Sequence, residues 1–164
     1  MLARDPHDLH VLLSAYACAP NRGSEPGLGW NTMVALSQQC RLTVMTQGRN
    51  REVIEAWLAD NSLPNVTFRY VVLPRWVFKL RPKKSFAYLL YSVWQWRMLN
   101  TAREVLANDP YDLVHHLTFA SLHMPMFSHR LPVPLIYGPA GGGEMAPMRF
   151  WGGGGKRGLL HEAL

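Results

Sequence analysis

The sequence predicts an α/β fold, an open parallel sheet doubly wound by helices, and three observations carry that prediction. Short apolar runs alternate with stretches of helical periodicity along most of the chain. Several of those runs are nearly continuous in hydrophobicity, as strands buried on both faces are. The length of 164 residues suits one domain, and 48% apolar against 17% charged residues supplies a sizeable core and excludes a disordered chain.

Residues 9–15, Leu-His-Val-Leu-Leu-Ser-Ala, read as the first strand. A loop at 17–29 follows, and from Leu28 to Gln39 the positions Trp30, Met33, Val34 and Leu36 recur at helical spacing. Residues 41–46 form a second strand broken by Gln47-Gly48; Asn50 then caps a helix through Leu58 with Glu52 in its first turn. Residues 66–73 are a third strand stopped by Pro74. A long helix runs from about Ser85 to Asn108, its inward stripe read as Leu89, Val93, Trp96, Leu99, Ala102 and Leu106, and Asp109-Pro110 ends it. Residues 113–117 are a fourth strand, 121–128 a short helix, and 134–137 a fifth strand leading into Gly138–Gly143. The resulting β-α repetition predicts a Rossmann-like sheet with right-handed crossovers. Residues 1–8 form a tail, 9–147 the domain, and 148–164 a Gly-rich loop with the start of a continuation.

Such sheets bind ligands outside the carboxyl ends of their strands. That rule selects Ala17–Gly29, Gln47–Asn50, His115–Phe119 and Gly138–Glu144. Three consecutive glycines, Gly141, Gly142 and Gly143, cost backbone entropy and allow a ligand to approach closely. A Gly-rich loop that opens a helix presents backbone N–H groups and suits an anion such as a diphosphate. The spacing of Gly23, Gly27 and Gly29 does not match GxGxxG, and Thr46-Gln47 stands where an acid would hold a ribose, so NAD is not expected. Gly152–Lys156 fails as a phosphate loop because Arg157 stands where Ser or Thr must hold magnesium.

His115 and His116 are adjacent, so a strand directs them to opposite faces, and no metal site is expected from them with His123. One reading has one of the pair packed beneath a helix and the other at the strand end; in the other, an imidazole meets a ligand hydroxyl or acts as a base near neutral pH. Glu25 and Glu144 sit on different Gly-rich loops, and each is equally a helix cap. Cys18 and Cys40 form neither CxxC nor a disulfide framework, which fits a reducing compartment. Asp5 and Asp8 before the first apolar run do not suit a secretory signal, and no apolar run reaches the ~20 residues of a spanning helix.

The formal net charge is +6, and residues 75–103 hold seven bases with no acid. The same segment carries seven of the chain's eighteen Phe, Trp and Tyr residues. Lys and Arg mixed with amphipathic rings suit an anionic membrane surface; the simpler reading packs Trp94 and Trp96 in the core and leaves the bases solvated. No nucleic-acid-binding motif accompanies the basic segment, and none is expected as a partner.

Four blocks together carry a family resemblance: Ser14-Ala15-Tyr16-Ala17-Cys18-Ala19-Pro20; Gly23-Ser24-Glu25-Pro26-Gly27-Leu28-Gly29-Trp30; Asp112-Leu113-Val114-His115-His116-Leu117-Thr118; and Gly138-Pro139-Ala140-Gly141-Gly142-Gly143-Glu144. In order and spacing, residues 9–147 resemble the N-terminal half of glycosyltransferase family 4 enzymes. The resemblance implies a GT-B architecture in which this domain receives the acceptor and a second domain holds most of the nucleotide sugar. It implies metal-free retaining transfer to a glycan or lipid-linked acceptor, in surface polysaccharide or glycolipid assembly. Gly23, Ser24, Gly27 and Gly29 are then expected near the diphosphate, and His115 or His116 with Glu144 on the sugar and acceptor side. The paired-glutamate donor motif of the family's second half does not occur before Leu164, so the chain is expected to be inactive alone. A cytoplasmic location, peripheral on the membrane's inner face, is the matching expectation.

Overall fold

The computed structural model describes residues 8–75, 77, 86–121 and 124–141. Five strands, β1 (His10–Ala15), β2 (Arg41–Gln47), β3 (Val66–Val71), β4 (Leu113–Thr118) and β5 (Leu135–Tyr137), make one sheet in the order β3-β2-β1-β4-β5. Every pairing is parallel. Helices α1 (Ser24–Ser37), α2 (Arg51–Asp60) and α3 (Phe86–Asn108) lie along the connections. The α/β Rossmann-like fold expected from the sequence is therefore the observed one.

β1 is buried along its whole length, and its alternation feeds two cores. Leu12 packs with Met45, Tyr91, Trp94, Met98 and Val114 on the α3 side. Val11, Leu13 and Ala15 pack with Trp30, Met33, Val44 and Ile54 on the α1 and α2 side. Leu12 and Leu13 are fully buried, which contributes about 1.5–3 kcal/mol for each. The edges are blunted differently: β3 alternates between exposed and half-buried residues, and β5 is only three residues long.

Three expectations need correction. Helix α1 begins at Ser24, so Gly27 and Gly29 lie inside it and not in a loop. Both glycines are buried; a Cβ on Gly29 would stand 2.2 Å from the Ala17 carbonyl oxygen, and one on Gly27 2.2 Å from that of Arg22. They let the helix lie directly on the preceding loop. In α3 the buried stripe is Tyr91, Trp94, Gln95, Met98, Leu99, Ala102 and Val105, whereas Leu89 and Trp96 are about half exposed at 49% and 56%. The helix carries two apolar stripes. Gln95 fixes which one turns inward, donating to the Pro125 carbonyl at 2.7 Å and accepting from the Phe127 N–H at 2.9 Å. In place of a helix at 121–128, a 3-10 turn covers Phe127–Arg130, with 122–123 outside the described residues.

Candidate functional site

From β1 the chain winds outward through β2 to β3, then crosses to β4 on the opposite side of β1. Beyond the carboxyl ends of β1 and β4 lies the crevice where open α/β sheets place ligands. The strand ends around it are tied together by hydrogen bonds. The Ala17 N–H donates to Thr118 Oγ1 at 3.0 Å. The Glu25 carboxylate, in the first turn of α1, accepts from the Phe119 N–H, and Phe119 has a left-handed φ of 59°. The Tyr16 carbonyl accepts from Gln47 Nε2 at 3.0 Å, with Thr46 Oγ1 and Asn50 Nδ2 each at 3.5 Å. On the far side the Gly138 N–H donates to the His116 carbonyl, and the Gly141 N–H to that of Ala120, both at 3.0 Å.

The two histidines diverge as adjacent strand residues must. His116 enters the core beneath α3 and is 1% exposed. Burial pushes the Tyr91 hydroxyl up, so it stays protonated and donates to His116 Nε2 at 2.6 Å. Nδ1 is then the N–H, with the Ser14 and Ser128 hydroxyl oxygens at 3.1 and 3.3 Å. Burial, aided by the neighbouring His115, pushes the His116 pKa down to about 4. The expectation that His116 serves as a substrate-facing catalytic group is corrected: a neutral, enclosed imidazole with both nitrogens engaged holds the strand ends together. His115 is half-buried on the opposite face. Its Nε2 donates to the Gly138 carbonyl at 2.8 Å, and Nδ1 has no partner among the described residues.

Of the expected anion loop, Gly23 and Ser24 are exposed at the mouth of the crevice. Gly23 is the extended N-cap of α1, and Ser24 has a left-handed φ of 56°. Gly27 and Gly29 are packing residues without access to a ligand. A Cβ on Gly141 would meet nothing within 4 Å, so the close-approach reading gains no steric support there. Gly142, Gly143 and Glu144 lie outside the described residues, as do Lys79, Arg81, Lys83 and Lys84 of the basic segment. Among the described residues no group of three His, Cys, Asp or Glu could hold a metal ion.

Two hollows at this edge involve residues that the sequence left unranked. One of about 650 Å³ is lined by Arg22, Arg49, Asn50 and Glu52. A second, of about 220 Å³, is lined by Tyr16, Arg49, Val72, Leu73 and Leu90. Arg22 stands in the loop after β1 and Arg49 in the 3-10 turn Gly48–Asn50 after β2, and position in the α/β pattern was the available signal for them. Comparison of the chain with protein-family models, curated proteins and solved structures finds no match.

Proposed function

We propose that this chain is the acceptor-binding domain of a glycosyltransferase family 4-like enzyme of GT-B architecture. One observation carries the reading: the four sequence blocks of the resemblance meet at a single place. Ala17 bonds Thr118, Glu25 bonds Phe119 just past the third block, Gly29 lies on Ala17, and Gly138 bonds both His116 and His115. Segments up to about 120 residues apart in sequence thus build one crevice at the switch point of the sheet.

In this reading a second domain brings the nucleotide sugar over the crevice. The acceptor oxygen bonds to the anomeric carbon on the face from which the nucleoside diphosphate leaves, the bond from that carbon to the phosphate oxygen breaks, and the hydroxyl proton passes to the departing phosphate. Gly23 and Ser24 offer backbone N–H groups toward the departing charge, and oriented donors of this kind stabilise it without reorganising. His115 keeps one ring nitrogen for a sugar or acceptor hydroxyl, the family resemblance adds Glu144 as a group for the acceptor, and His116 positions the strands. No metal is needed for these roles.

Among the described residues no helix is long and apolar enough to cross a membrane. Peripheral attachment at the inner face of the membrane belongs to the proposal, supported by the outward face of α3. There Tyr88 and Trp96 are each 56% exposed beside exposed Arg97 and Arg103. A non-catalytic membrane- or partner-binding module, or another nucleotide-binding protein of this fold, is the competing assignment.

The test captures the native protein from its source cells with an antibody to this chain, determines its intact mass, and assays nucleotide-sugar turnover with EDTA present. A species about twice as long as 164 residues, or a tight complex of that size, that releases nucleoside diphosphate supports the proposal. Turnover of no nucleotide sugar removes it. NAD binding would then favour the other nucleotide-binding assignment, and salt-sensitive binding to anionic liposomes the module.

A further inference from the structure

Arg22 and Arg49, both exposed, line the same 650 Å³ hollow, one from the loop after β1 and the other from the 3-10 turn after β2. Among the described residues neither has a carboxylate within ion-pairing distance, although Glu52 lines the same hollow and Arg51, two residues from Arg49, does pair with Glu55 at 3.8 Å. The backbone beside both arginines is closely packed. Gly27 lacks a side chain where one would strike the Arg22 carbonyl, and a Cβ on Gly48, the residue before Arg49, would stand 2.8 Å from Val72 Cγ2. Asn21, beside Arg22, and Ser24 both hold left-handed φ values, 55° and 56°. Asn adopts that region readily, whereas for Ser24 it is uncommon. Asn50 is anchored by its amide nitrogen, which donates to Thr46 Oγ1 at 2.9 Å. Its amide oxygen has no bonded partner among the described residues.

We propose that this hollow is a binding site for a phosphate-type oxyanion on a hydroxyl-bearing ligand. Arg22 and Arg49 grip the oxyanion from two sides, as planar guanidinium groups do. Glu52 and the Asn50 oxygen accept hydrogen bonds from neighbouring hydroxyls, and Glu52 repels a ligand that is anionic throughout. The inference deepens the proposed function by making the acceptor a phosphorylated molecule, and it rests on that reading only for the word acceptor. The phosphate belongs either to a soluble sugar phosphate or to a lipid headgroup. For the latter, the apolar hollow of Tyr16, Val72 and Leu90 begins on the other side of Arg49.

The experiment follows the arginine Nε–H resonances of the ¹⁵N-labelled full-length protein during titration with inorganic phosphate, glucose 6-phosphate, glucose, and phosphatidylglycerol vesicles. Saturable shifts at Arg22 and Arg49, absent at Arg103 and Arg130, are expected with glucose 6-phosphate and not with glucose. R22Q and R49Q should each weaken binding by about tenfold. Binding of the vesicles alone, lost in both variants, assigns the phosphate to a lipid. Uniform shifts at all exposed arginines, no saturation with any probe, or glucose 6-phosphate binding unchanged in both R22Q and R49Q overturns the inference. The wild-type shifts need no variant to fold. Site-specific phosphate binding without nucleotide-sugar turnover would leave this inference standing while removing the glycosyltransferase reading; turnover without it would do the reverse.

Discussion

The Tyr91 hydroxyl lies 2.6 Å from Nε2 of His116, joining the middle of the sheet to the first half of α3. The contact explains why a histidine on a central strand is tolerated at 1% exposure: every polar atom of its ring is satisfied. Tyr91→Phe leaves Nε2 buried without a partner, and a loss of about 1–3 kcal/mol is expected in urea unfolding. A change within about 0.5 kcal/mol, the range of ordinary surface substitutions, would show that Nε2 is not enclosed.

The same enclosure sets a pH dependence. Unfolded His116 protonates near pH 6.5, whereas the folded residue resists protonation down to about pH 4. Between those values the unfolded chain binds the extra proton, so stability is complete above pH 6.5 and falls as pH drops toward 4. The loss from this one group is at most about 3 kcal/mol. In urea titrations from pH 7 to 4.5, His116→Asn should start less stable but lose less than the wild type. Parallel curves for the two proteins would assign the pH dependence to other groups.

Much of the fold was readable in the sequence because strands buried on both faces have little choice of pattern. All five strands fall where their apolar runs lie, and Pro74 and Pro110 follow the elements they end. The site was less readable. Gly27 and Gly29 resemble loop glycines in sequence, and only the approach of the Arg22 and Ala17 carbonyls identifies them as helix-packing residues. His115 and His116 are equivalent in pattern until β4 is given its register against β1, where Ser14 pairs with His116. In α3, Trp94 and Trp96 both fit helical stripes, and long-range contacts of Tyr91 and Gln95 choose between them.

Glycines 23 and 29 should therefore respond in opposite ways. Gly29→Ala drives a Cβ to within 2.2 Å of the Ala17 carbonyl, which is backbone and cannot swing aside. Such overpacking costs about 1–3 kcal/mol or more, read as a thermal midpoint lower by roughly 2–4 °C per kcal/mol. At Gly23 an added Cβ meets nothing within 4 Å, and Gly23→Ala should shift the midpoint little. Equal shifts for the two variants would contradict the close packing of α1 on the loop.

The two tryptophans of α3 give a second contrast. Trp94 is fully buried against Tyr16 and Tyr91, and Trp94→Ala should cost about 3–5 kcal/mol. Trp96 is 56% exposed, so Trp96→Ala should cost under about 1 kcal/mol. If the outward face of α3 meets a membrane, Trp96→Ala instead weakens co-sedimentation with anionic liposomes at low salt. Reversed stabilities would mean that the other stripe faces the sheet.

Glu25 ties α1 to the end of β4 through the Phe119 N–H. Glu25→Ala removes the acceptor of the part-buried Phe119 amide, for an expected cost of about 1–3 kcal/mol. Hydrogen exchange at Phe119 should accelerate in that variant and much less in Glu25→Gln, which keeps an oxygen. Unchanged exchange in Glu25→Ala would show that the latch does not hold the crevice.

We propose that the crevice between β1 and β4 serves glycosyl transfer. The most direct test is to give the captured native protein a panel of nucleotide sugars with a cell-envelope acceptor extract and EDTA, then read the anomeric signal of the product by NMR. Metal-independent transfer with the donor's anomeric configuration retained, reduced in variants of His115, is expected. Absence of transfer from every nucleotide sugar, or transfer with inversion, would contradict it.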